Sequence, residues 1–91
     1  MEMKLIDVVG ELVSFDRQNT IYASEPWTPD CEAIVAPESA MPPMTLERLK
    51  MKYFLEVFIA RDVLDDWTTS VESPTLRESC ARLIHYAIYD A

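Results

Sequence analysis

Five of the six prolines fall between positions 26 and 43, and this crowding limits the fold more than any other feature. Proline lacks the backbone N–H that a helix or an inner strand needs, and its ring clashes with the preceding turn of a helix. The middle of the chain is therefore expected to hold short strands and loops, with long helices near the two ends. Glu25–Asp30, with Pro26 and Pro29, reads as a loop. Residues 37–46 (PESAMPPMTL), with three prolines and no periodicity, read as the loosest segment.

Residues 4–15 (KLIDVVGELVSF) read as a helix. Leu5, Val8, Val9, Leu12 and Val13 fall on one side, and Lys4, Asp7, Glu11 and Ser14 on the other. Gly10, the only glycine, weakens that helix by about 1 kcal/mol relative to alanine and suggests close packing. Arg17-Gln18-Asn19 reads as a turn. Thr20–Ala23 and Cys31–Ala36 are β-prone and form an antiparallel hairpin across the Glu25–Asp30 loop. Tyr53–Phe58 favours a third strand, with an early helix start as the competing reading. From Ala60 a helix buries Ala60, Val63, Leu64, Trp67 and Val71 on one face. Ser73-Pro74 or a Thr75–Glu78 capping box opens the last helix. It runs to about Tyr89, with Leu76, Cys80, Leu83, Ile84, Ala87 and Ile88 as its apolar face. The expected architecture is α+β in the order α-β-β-β-α-α. One domain over residues 1–91 would contain a three-stranded antiparallel sheet with three helices on one face.

A chain of 91 residues buries roughly 60–65% of its unfolded surface, enough for a modest core without metals or disulfides. Cys31 and Cys80 read as two buried thiols. Sixteen acidic against eight basic residues leave a net charge of −8. That charge disfavours nucleic acid and anionic membranes and suits a cationic partner. Asp7 and Glu11 interrupt the first apolar stretch, so no secretory signal is read there, and no apolar run approaches the roughly 20 residues of a membrane helix. The location read from this is cytoplasmic.

Equipment for bond-making is sparse. His85 is the only histidine, and it lies five residues from Cys80, on a different side of the helix. Zinc sites need more Cys and His at close spacing, and phosphate-cradling loops need glycines. No catalytic residue, metal or cofactor is assigned. Asp62, Asp65 and Asp66 crowd one helix. They suit a solvated face, a site steering a basic partner, or a ligand-binding or metal-binding cluster. The basic stretch ERLKMK (47–52) stands apart in an acidic chain. On the last helix Arg82, His85, Tyr86 and Tyr89 oppose the apolar stripe. Tyrosine and arginine are enriched at protein interfaces, yet here they could equally cover a second core layer. Trp27, between two prolines, is either a preorganised anchor or a plug closing the hairpin over the core.

TIYASEPWTPDCEAIVAPE (20–38) and YFLEVFIARDVLDDW (53–67) together resemble a group of small bacterial domains that look like immunity factors encoded beside toxins. The resemblance implies an immunity factor and rests on packing motifs, so it assigns no residue a role. Together with the acidic charge it leads to the expectation of a non-enzymatic, protein-binding inhibitor that occludes a basic active site. There Asp62, Asp65 and Asp66 would steer the encounter, and Trp27, Arg82, Tyr86 and Tyr89 would make the contact. Two other readings come from the residues themselves. One is a subunit that self-associates, as a homodimer for example, through the last helix. The other is a small acidic ligand- or metal-binding protein.

Overall fold

The computed structural model describes residues 3–90. It is α+β, with a four-stranded, wholly antiparallel sheet in the order β1-β3-β2-β4. The strands are β1 (Met3–Lys4), β2 (Thr20–Ala23), β3 (Glu32–Ala36) and β4 (Lys52–Glu56). The helices are α1 (Leu5–Gly10), α2 (Pro43–Leu49), α3 (Val57–Thr68) and α4 (Leu76–Tyr89). The expected hairpin is present, pairing Thr20 with Ala36 and Ala23 with Ala33. The sheet has one more strand, and the fold one more helix, than the sequence reading gave. The added strand is β1, a two-residue pairing of Met3 with Ala33 and Lys4 with Glu32, too short to leave a period.

The first helix is half the expected length. α1 stops at Gly10, and Leu12–Ser14 form a 3₁₀ turn instead. The Ser14 hydroxyl donates to the Glu11 carbonyl at 2.6 Å, and the Ser14 amide donates to the same oxygen at 2.9 Å. A 3₁₀ turn advances side chains by a wider angle than an α-helix. Leu12 therefore stays in the core while Val13, expected beside it, is 79% exposed. No side chain caps the start of α1. Its first amides bond to the proline loop: Leu5 N–H to the Cys31 carbonyl and Ile6 N–H to the Pro29 carbonyl, both at 2.8 Å. Gly10 is closely packed, since a Cβ there would lie 3.2 Å from a Leu76 methyl.

The second correction lies in residues 37–46. Pro43 occupies the first turn of α2, where its missing N–H costs nothing. The helix ends at Lys50, which adopts the left-handed conformation (φ 57°, ψ 39°). There Met51 N–H reaches the Leu46 carbonyl at 2.9 Å and Lys50 N–H the Glu47 carbonyl at 3.2 Å. This is the hydrogen-bond pattern of a Schellman stop, with lysine in the place usually held by glycine. α2 covers the face of the sheet that the sequence reading left bare. Every residue of β2 is accordingly buried, whichever way it points.

β4 spans Lys52–Glu56 rather than 53–58, and α3 begins at Val57, earlier than expected. The register of β2 with β4 shifts between Ile21 and Tyr22, so β4 carries an extra residue. With this bulge the consecutive residues Phe54 and Leu55 both enter the main core. Val71 lies beyond the end of α3. The Thr75–Glu78 capping box opens α4: Glu78 N–H donates to Thr75 Oγ1 at 3.1 Å, and Thr75 N–H to Glu78 Oε1 at 2.9 Å. Ser73 is left outside the helix with φ 47°. Leu76 and Ile88, assigned to the apolar face of α4, are about half exposed.

Two cores result. The larger unites Leu5, Val8 and Leu12 with Ile21, Ala33, Phe54, Leu55, Val57, Ala60, Cys80 and Leu83. The smaller, under α2, is Tyr22, Met41 and Met51, flanked by Ile34, Leu46 and Leu49. No helix among the described residues is long and apolar enough to cross a membrane.

Candidate functional site

Trp27 lies against the main core. Its ring meets Phe54 edge-on, with centroids 5.0 Å apart and planes at 89°, and its Nε1 donates to the Ala23 carbonyl at 3.2 Å. Both bonding modes of the indole point inward, so Trp27 closes the hairpin rather than projecting from it. The two bracketing prolines hold the loop that delivers it.

α4 divides the remaining aromatic candidates. Tyr86 is half-buried and packs on the main core. Arg82 is also half-buried, and its Nε has no hydrogen-bond partner among the described residues. Tyr89 is 71% exposed and touches His85, ring centroids 4.7 Å apart. Thus Tyr89, with His85 and Ile88, forms the outward part of this helix.

The thiols are not equivalent. Cys80 is buried and Cys31 only partly so, which corrects the expectation of two buried cysteines. Burial pushes the Cys80 thiol up to about 11, with the nearby Cys31 adding to the rise. Burial also raises Cys31. Burial thus works against the thiolate at both positions, and by contact Cys80 belongs to the main core while Cys31 packs against it.

Asp62, Asp65 and Asp66 stand exposed along α3. The hydroxyls of Thr68 and Thr69 bond to the backbone carbonyls of Asp65 and Asp66, at 3.2 and 2.7 Å, and leave the carboxylates untouched. Among the described residues the only ion pair is Arg77 with Asp30, at 3.8 Å on the surface, so none of the three aspartates is neutralised by a close cation. Nor do the described residues contain a group of three His, Cys, Asp or Glu side chains placed to hold a metal.

Beside this ridge the shortened α1 leaves a cleft of about 190 Å³. Val9, Leu12, Val13 and Leu64 line it, with Gly10, Arg61 and Asp65 completing the wall. Asp65 is the one sequence-identified residue that reaches it. Val13, Arg61 and Leu64 were missed because a continuous helix would have turned Val13 inward and closed the gap. Gly10, followed by a serine able to bond back to Glu11, was the signal for a break. The basic stretch borders a larger groove of about 660 Å³ between α2 and β4. There Lys50 and Lys52 are offset by Glu25 and Glu47, so its walls have no dominant sign.

No family model matches the chain, and no curated protein or solved structure shows significant similarity to it.

Proposed function

We propose that the protein is a non-enzymatic inhibitor of the immunity or antitoxin kind, acting by covering a basic surface of a partner protein. The observation that carries this reading is the row of exposed carboxylates on α3, none of them held by a close cation. Asp62, Asp65 and Asp66 are exposed and unpaired, and Asp65 also lines an open cleft whose other walls include Val9, Leu12 and the exposed Val13. Protein interfaces combine an apolar anchor with a polar rim, and complementary charge accelerates the encounter. The net charge of −8 extends the attraction beyond the contact itself. In this reading Trp27 and Tyr86 supply rigidity, and contact falls to α3 and the Leu12–Ser14 turn.

The test starts from the protein that co-purifies with the tagged chain in its native host. Replacing Asp62, Asp65 and Asp66 together by lysine should slow association at least tenfold at low salt and abolish its salt dependence, as read by stopped-flow mixing. An association rate unchanged by the triple replacement rejects the steering role.

A further inference from the structure

The inhibitor reading leaves both cysteines without a role. They lie far apart in sequence, just before β3 and within α4, yet the fold brings them together. Cys80 is fully buried in the main core, and Cys31 packs against that core from the end of the Trp27 loop. Their neighbours meet at the same junction. Arg77, one turn before Cys80 on α4, pairs with Asp30, the residue before Cys31, at 3.8 Å. Cys80 accordingly feels the charges of Cys31, Arg77 and Asp30 together. We infer that Cys31 and Cys80 are a redox pair, closing to a disulfide that ties the Trp27 loop to α4 when the chain meets an oxidising small-molecule disulfide.

Accessibility sets the order of events. Cys31, only half-buried, is the sulfur that a small-molecule disulfide can reach. It attacks, a mixed disulfide forms, and the first small thiol leaves. Cys80 then attacks the Cys31 sulfur, the bond between the two cysteines forms, and the second small thiol leaves. The oxidant takes up two electrons, and the two protons lost by the cysteines end on the released thiols. Burial disfavours the thiolates and slows both steps, but it does not set where the equilibrium lies. A disulfide is uncharged, so the dry core accommodates it where it penalises a thiolate. Closing so long a loop also removes freedom from the unfolded chain, which favours the native state. The tied segment is already fastened on one side, where the Cys31 and Pro29 carbonyls accept from Leu5 and Ile6 at 2.8 Å. The bond to α4 fastens the other.

The test incubates the protein in glutathione buffers of graded oxidised fraction until its composition no longer changes. Samples are then quenched with acid, alkylated and weighed by mass spectrometry. Expected is a monomer lighter by two hydrogens, with one cross-linked peptide joining Cys31 to Cys80. Its melting temperature should rise by roughly 10 °C or more over the reduced form. The Leu5 and Ile6 amides should exchange several-fold more slowly. Cys31→Ser, at a partly exposed position, should fold, and its melting temperature should not respond to the oxidant. Three results overturn the inference. A glutathione adduct that persists at Cys31 of the wild type shows that Cys80 cannot reach it. Two free thiols in the most oxidising buffer, in a chain that does oxidise once unfolded in urea, show that the folded geometry forbids the bond. A disulfide between two copies, or an internal one that lowers the melting temperature, removes the built-in strap. None of these outcomes touches the inhibitor reading, which is tested by the association rate.

Discussion

The two faces of the sheet are covered by different chemistry. Toward α1, α3 and α4 the packing is branched aliphatic and aromatic, with Leu5, Val8, Ile21, Phe54 and Leu83 all fully buried. Toward α2 it is methionine and tyrosine: Met41, Met51 and Tyr22. Branched side chains have few rotamers and specify one arrangement, whereas methionine adapts its shape to the space available. The first face thus specifies one packing arrangement, and the second adapts its side chains to the sheet it covers. One central strand serves both, since Ile21 and Ala23 point to the first while Tyr22 points to the second.

Removing a part from each face tests this difference. Trp27→Ala takes away the edge-on contact with Phe54 and the bond to Ala23, and should cost about 3 kcal/mol in urea unfolding. A loss below about 1 kcal/mol would mean that the indole contributes little to the core, and would return it to the list of interface anchors. Met51→Ala, on the second face, should cost about 2 kcal/mol, the low end for a buried methionine, because its neighbours can adjust. A larger loss than for Trp27 would reverse the ranking of the two faces. The smallest effect is expected away from both. Thr75→Ala removes the cap of α4 and should cost about 1 kcal/mol. The same box gives a pH dependence. Bonds from Thr75 hold the Glu78 carboxyl below its ordinary value. Its contribution is therefore present above the carboxylate range and is lost as pH falls through the lowered value. Wild type and Glu78→Ala, which lacks the carboxylate that accepts from the Thr75 amide, should converge in stability as the solution is acidified.

How much of this was legible follows the same division. The first face was readable because its helices repeat every three to four residues and its strands sit between turn-forming residues. Its failures were local: a 3₁₀ turn exchanged Val13 for solvent, and a bulge put Phe54 and Leu55 on one side. The second face was illegible because α2 occupies only Pro43–Leu49, too short for a period, and opens with a residue that usually signals a break. Pro43 in the first turn and a left-handed lysine at the end are the two signs that mark it. The acidic ridge was plain from Asp62, Asp65 and Asp66. The cleft beside it was not, since it exists only through the early end of α1.

The bonds from Leu5 and Ile6 to the Cys31 and Pro29 carbonyls fasten the start of the chain to a loop far along it. Those two amides cannot exchange with solvent unless the loop lets go. Their hydrogen-exchange rates therefore serve as a gauge of how often the tryptophan-bearing segment lifts, readable without labelling the tryptophan at all.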